Sequence, residues 1–175
     1  MSANIEFHSL NICVLTISDT RTFDNDTSGN TLQTLLEEAG HTVYDRKLVK
    51  DDIYQMRATV SHWIADAQAQ VVLMTGGTGF AGRDSTPEAI QPLLDKTIDG
   101  YGELFRQLSY DDIGTSTIQS RAFAGLANRT LIFALPGSTG ACTLGFSHII
   151  QPQIDSRTRP CNFYGQIKFI PESMP

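Results

Sequence analysis

Residues 75–89 read TGGTGFAGRDSTPEA, and the fold around them depends on how the glycines are used. Three phosphate-binding motifs can be written over this stretch. Gly77-Thr78-Gly79-Phe80-Ala81-Gly82 spells G-x-G-x-x-G, the dinucleotide fingerprint. The same span followed by Arg83-Asp84 approaches the G-x-x-x-x-G-K-[ST] of P-loop enzymes. In a third reading, Thr75 to Gly79 forms a nest of backbone amides, and Arg83-Asp84 is a charged pair just ahead of a helix. The dinucleotide reading needs glycines that open a helix directly, so that pyrophosphate lies on the helix end. Here the helix signal, Thr86-Pro87-Glu88, comes several residues after Gly82. The acidic residue about 20 positions on, Asp99, sits in a loop beside Gly100 rather than at a strand end. The P-loop reading fails because Asp84 stands where a hydroxyl should hold magnesium. The nest fits better: Gly76, Gly77 and Gly79 can take positive φ angles that turn successive N–H groups toward an anion. A tight turn that needs glycine for geometry alone remains the alternative on composition.

Outward from this loop, strand-like runs alternate with helical patterns. VVLM (71–74) is a short apolar strand feeding the loop. LNICVLTIS (10–18) and RTLIFALPG (129–137) are strong strands, and HTVYDRKLV (41–49) is a more amphipathic one. Gly29 to Ala39 reads as a helix with Leu32, Leu35 and Leu36 on one face, closed by Gly40. Asp51-Asp52 opens a helix whose stripe is Ile53, Met56, Val60, Trp63, Ile64 and Ala67. Pro87 suits the first position of the next helix, with Thr86 as its cap. Tyr101 to Tyr110 and Thr115 to Ala127 read as further helices, and Leu144 to Ile154 as the closing one. The tail from Ser156 is expected to dock as an irregular segment. Such alternation predicts an α/β fold with a mostly parallel sheet covered on both faces, in one domain spanning 1–175.

Ligands of such sheets bind beyond the carboxyl ends of the strands. Three of those ends share a chemistry: Ser18-Asp19-Thr20, Thr75-Gly76-Gly77-Thr78-Gly79 and Pro136-Gly137-Ser138-Thr139-Gly140. All are small, hydroxyl-bearing or glycine-rich, and are expected to converge on one rim lined by N–H groups. Arg83 adds a cation there, and Asp84 can hold a cation such as Mg²⁺ against phosphate oxygens. Asp51 and Asp52 lie on the same rim, although acids at a helix start are equally explained by the positive helix end. Two acidic positions flanking a nest suggest metal-assisted phosphoryl or nucleotidyl transfer. Ser138 reads as a hydrogen-bond donor, since the G-x-S-x-G spacing of a nucleophile elbow is missing. Cys142 reads as a packed small residue.

Composition narrows the class. A net charge of −6 argues against a general nucleic-acid binder, which needs a basic face. Cys13, Cys142 and Cys161 form no C-x-x-C pair and read as cytosolic thiols. No apolar run approaches the roughly 20 residues of a membrane span, and no signal peptide is evident. The chain therefore reads as cytoplasmic.

The segments TISDTR, LLEEAGH, TGGTG…RDSTPEA, GYGELFRQLS, GTSTIQSRA and LPGS together resemble the MoaB/MogA family of molybdenum cofactor biosynthesis proteins over nearly the full length. The ending DSRTRPCNF is similar to the MoaB branch. The resemblance implies a three-layer α/β/α domain that assembles as trimers or dimers of trimers. It implies that molybdopterin, a pterin with a dithiolene and a terminal phosphate, binds at the loop rim. Active members adenylylate that phosphate with Mg²⁺ and ATP, and the family's two acidic positions match Asp51 and Asp84. The nest and its neighbours then become substrate-binding: Ser18, Thr75, Gly76, Gly77, Thr78, Gly79, Arg83, Pro136, Gly137 and Ser138. Many relatives carry proline after the PGS turn where this chain has Thr139. Within the branch, the other role implied is a non-catalytic molybdopterin-binding or scaffold protein.

Overall fold

The computed structural model describes residues 6–170. Its centre is a six-stranded sheet in the order β2-β1-β3-β6-β5-β4. The strands are β1 (Asn11–Ile17), β2 (Thr42–Val49), β3 (Val71–Thr75), β4 (Lys96–Thr97), β5 (Phe123–Ala127) and β6 (Thr130–Leu135). β2, β1, β3 and β6 run parallel, while β5 and β4 continue the sheet antiparallel. Helices α1 (Thr27–Glu38), α2 (Ile53–Ala65), α3 (Thr86–Ile90), α4 (Asp99–Ile113), α5 (Thr139–Gly145) and α6 (Gln151–Ile154) cover both faces. The architecture is a three-layer α/β/α fold with a mostly parallel sheet.

The period of two along each central strand builds two cores. Ile12 and Val14 of β1, Val71 and Leu73 of β3, and Leu131, Phe133 and Leu135 of β6 face one side. There they pack on Leu32 and Leu36 of α1, Phe105 of α4 and Cys142 of α5. The alternate residues Cys13, Leu15, Val72, Met74, Ile132 and Ala134 meet Met56, Val60 and Trp63 of α2 and Ala89 and Ile90 of α3. Both faces are buried, which is why β3 and β6 read as continuous apolar runs. Asp52 caps α2 by accepting from the amides of Tyr54 and Gln55, 2.9 Å each.

Several boundaries differ from the sequence expectation. Thr115 to Ala127 is not a helix: Gly114, at φ +56, ends α4 and a 3₁₀ stretch runs to Gln119. The chain then enters β5, which turns into β6 through Asn128 (φ 45) and Arg129 (φ 60). Two residues of positive φ make a tight hairpin whose twist suits the flanking strands. The sequence FAGLA is buried along nearly all its length, so no alternation marks it as a strand. α1 begins at Thr27, because buried Asp26 caps it through the Gly29 amide at 3.0 Å. α2 stops at Ala65, and Ala67 is exposed rather than part of the stripe. Ser85 is the cap of α3 and Thr86 its first residue. The last helical path starts at Thr139 and continues through a π-helical turn, Phe146–Ile150, into α6. The expected irregular tail is observed as far as residue 170, with one 3₁₀ turn at Tyr164–Gln166, and the rest lies outside the described residues.

Candidate functional site

β1, β3 and β6 are adjacent and parallel, so their carboxyl ends and following loops share one edge of the sheet. A cleft of about 480 Å³ opens there, bordered by Ser18, Thr20, Arg21, Ser28, Thr75 to Gly79, Asp84, Pro136 and Gly137. Three loops thus meet at one rim.

The middle loop forms the cleft wall. Gly76 and Gly77 have φ of +107 and +65, the backbone sign that glycine alone adopts cheaply. The Gly76 amide is used by the sheet, donating to the Leu135 carbonyl at 3.0 Å. Among the described residues, the amides of Gly77, Thr78 and Gly79 have no acceptor. The Thr78 hydroxyl is buried and likewise without a partner. A buried hydroxyl without a partner is rare, and it stands beside the amides of half-buried Gly77 and Gly79 at the cleft. Gly79 departs from the expectation of positive φ. Its need for glycine is spatial instead: a Cβ would lie 2.6 Å from Asp84 Oδ2.

Both carboxylates press on this loop. Asp51 Oδ1 accepts from the Ser85 amide (3.2 Å) and hydroxyl (2.5 Å), while Oδ2 lies 2.8 Å from the position a Gly77 Cβ would take. Asp84 Oδ2 accepts from the Ala81 amide at 2.8 Å. Among the described residues each acid keeps one oxygen, Asp51 Oδ2 and Asp84 Oδ1, without a hydrogen-bond donor. No group of three or more His, Cys, Asp or Glu able to hold a metal exists among the described residues. Mg²⁺ commonly takes one or two carboxylates and completes its shell with water and substrate phosphates. Asp84 borders the cleft and Asp51 does not; in chemistry their spare oxygens suit that open mode rather than a closed all-protein cage.

Thr75 and Ser138 serve the frame. The buried Thr75 hydroxyl donates to the Pro136 carbonyl at 2.9 Å, tying β3 to β6 at the rim. Ser138 Oγ accepts from the Ala141 amide at 3.2 Å and caps α5, which leaves its O–H proton free to donate, as expected from the sequence. Thr139 occupies the first helical position, where proline is also well suited. The helix therefore starts at that place without it.

Residues 13–156 match the family model described as "Probable molybdopterin binding domain". The chain is 54% identical to molybdenum cofactor biosynthesis protein B of Escherichia coli K12 over 163 residues, 93% of this chain and 96% of that one. The chain belongs to this family. The molybdenum cofactor biosynthesis protein B of Bacillus subtilis is 46% identical over 142 residues, covering 81% of this chain and 84% of the relative. Among solved structures, a molybdenum cofactor biosynthesis protein B superposes with TM-score 0.82 at 44% identity, over 84% of this chain and 92% of that one. The tungsten cofactor synthesizing protein MoaB of Pyrococcus furiosus gives 0.73 at 35% identity, over 81% and 91%.

Within this molybdenum cofactor biosynthesis fold, a second cation, Arg21, stands closer to the cleft than the expected Arg83. Arg83 is largely exposed and pairs with Asp19, Nη2 to Oδ2 at 2.9 Å, and it does not border the cleft. Arg21 does. Its guanidinium reaches the Ser28 hydroxyl and donates to the Gly137 carbonyl at 3.2 Å. Behind it lies Asp26, fully buried, which accepts from Thr16 Oγ1 (2.7 Å) and Arg46 Nη2 (2.8 Å). Burial pushes the Asp26 carboxyl up, but the bonds from Thr16, Arg46 and Gly29 outweigh it and hold the group below its ordinary range. Asp26 therefore stays charged and orients Arg21, 3.7 Å away. Arg21, Asp26 and Ser28 were missed at the sequence level, although TISDTR includes the arginine. Cys142 is packed under the rim, and burial pushes its thiol up to about 11 despite a bond to Thr75. It is inert.

Proposed function

We propose that the chain binds molybdopterin with its terminal phosphate in the amide nest and adenylylates that phosphate with Mg²⁺ and ATP. The observation carrying this reading is the run of three consecutive unpartnered amides, Gly77 to Gly79, beside the orphaned Thr78 hydroxyl. Such a run suits an oxyanion with several acceptor lone pairs. Arg21, held by Asp26 at the edge of the cleft, supplies the positive charge that an acidic protein must concentrate at such a site. Asp51 and Asp84 supply the spare carboxylate oxygens that would hold Mg²⁺ beside the nest. When bound, the ion neutralises phosphate oxygens and polarises the phosphoryl group.

In this reading a phosphate oxygen of molybdopterin attacks the α-phosphorus of ATP. A phosphoanhydride bond forms and pyrophosphate leaves. The chain's share of the work is to hold the nucleophilic phosphate with fixed N–H donors, which need no rearrangement as charge develops. The protein works as a homo-oligomer built from trimers, in which the segment Arg157-Thr158-Arg159-Pro160-Cys161 suits an interface. Incubation with molybdopterin, Mg²⁺ and ATP tests the proposal. Stoichiometric adenylylated product and pyrophosphate are expected. Tight molybdopterin binding with no product would reduce the role to a carrier or scaffold of the pathway.

A further inference from the structure

Arg121 is the side chain most heavily committed to the nest loop, yet it does not border the cleft. Its Nε donates to the Gly79 carbonyl at 2.8 Å and its Nη2 to the Asp84 carbonyl at 2.7 Å. Its own amide donates to the Thr78 carbonyl at 2.9 Å. Nη1 pairs with Glu88 on α3, and the guanidinium carbon lies 5.7 Å from the centre of the Phe80 ring. One planar group therefore brackets both ends of the excursion from Gly79 to Asp84. Between these ends, Phe80, Ala81, Gly82 and Arg83 are exposed. The hydrogen bonds inside the excursion are local ones between Ala81 and Asp84.

We infer that Arg121 is a positioning residue, fixing the last nest amide, that of Gly79, through its own backbone and the Asp84 carboxylate through its side chain. A carbonyl pinned on one side of a peptide plane fixes the N–H on the other. Holding the carbonyls of Thr78 and Gly79 therefore orients the following amides, those of Gly79 and Phe80. Holding the Asp84 carbonyl fixes the backbone from which its carboxylate extends. Arginine suits this task because its fork of donors is rigid and permanently charged. Glu88 holds the fork in place. The Arg121 contact draws the Glu88 carboxyl below its ordinary range, so the pair stays ionised near neutral pH.

The structural part of the inference stands on geometry alone, while its catalytic consequence rests on the proposed adenylylation. The test therefore has two arms on the full chain. In hydrogen exchange, Arg121→Gln should let the hydrogen-bonded amides of Ala81, Asp84 and Ser85 exchange roughly tenfold faster or more, since two charge-assisted bonds holding the loop are lost. Amides of β1 and β6 should keep their protection. Arg121→Lys keeps the cation but cannot bond two separated carbonyls and Glu88 together, so it should give an intermediate loosening. Unchanged exchange at Ala81, Asp84 and Ser85 in both variants would overturn the inference. So would a loss of protection spread equally over the sheet in both. In turnover of molybdopterin with Mg²⁺ and ATP, Arg121→Gln should lower kcat in the parent but little further in an Asp84→Asn background, because both changes act on one unit. Fully additive losses would show that Arg121 does not act through Asp84. A parent without turnover would sink the adenylylation reading and leave the exchange arm standing.

Discussion

Gly77→Ala places a methyl group where the structure has no room for one. The Cβ would lie 2.3 Å from Thr86 Oγ1 and 2.8 Å from Asp51 Oδ2, at a φ of +65. A left-handed backbone costs a non-glycine residue about 1–2 kcal/mol. Thr86 Oγ1 is buried and donates to the Gly76 carbonyl at 2.9 Å. Pushing it away strands both partners for about another 1–3 kcal/mol. The sum, about 2–5 kcal/mol, corresponds to a fall in Tm centred on about 10 °C for a chain of this size. Because Gly77 carries one of the nest amides, affinity for molybdopterin should fall as well. Gly82→Ala is the control: a Cβ there meets no atom within 4 Å, so Tm should move by less than about 1 °C. Differential scanning calorimetry of both variants, with molybdopterin titrations of each, reads the outcome. A Gly77→Ala Tm within about 2 °C of the parent would refute the reasoning, because loop strain and steric exclusion would both have been overestimated.

Asp51→Asn and Asp84→Asn should each lower turnover by roughly a hundredfold or more, while molybdopterin affinity changes little, a split marking transition-state work. Parent-like turnover in both would reduce these acids to a framing role. Burial holds the His41 imidazole below its usual range, reinforced by Arg157 and opposed by Asp155. The unfolded histidine binds its proton first as pH drops, so this contribution is full above about pH 6.5 and is lost as pH falls from there toward the folded value. Urea midpoints at pH 7.5 and 5.5 should show a smaller acid loss in His41→Gln than in the parent, and an unchanged slope would refute the assignment. Burial pushes the thiols of Cys13 and Cys142 up to about 12 and about 11. Iodoacetamide at pH 7.5 followed by mass spectrometry should therefore leave Cys13 and Cys142 unmodified in the native protein, and native labelling of Cys142 would contradict its packing.

Much of the fold was legible because β1, β3 and β6 carry unbroken branched runs and α1 and α2 carry clear stripes. β5 was not, since Ala and Gly between two strands give no periodicity, and β4, only two residues long, falls below any pattern. The rim loops were legible because strand order follows from alternation and ligand sites follow from strand ends. Individual roles were less so. Glycine at 76, 77 and 79 looks alike in sequence, yet two sites use positive φ and the third makes room for a carboxylate. Arg21 and Arg121 act on carbonyls 116, 37 and 42 residues away, and no local pattern encodes such a reach. Misreading 115–127 as a helix hid Arg121 further, since on a surface helix it would be a solvated charge.

The central claim is that the amides of Gly77, Thr78 and Gly79 receive a phosphate. Calorimetric titration of molybdopterin against its dephosphorylated form, on the same protein and at the same ionic strength, tests this most directly. Losing the phosphate removes several charge-assisted hydrogen bonds, so the dephosphorylated pterin should bind at least about a hundredfold more weakly. Affinities within about threefold of one another, less than 1 kcal/mol apart, would contradict the claim and return the glycine loop to a turn that needs its residues for shape alone.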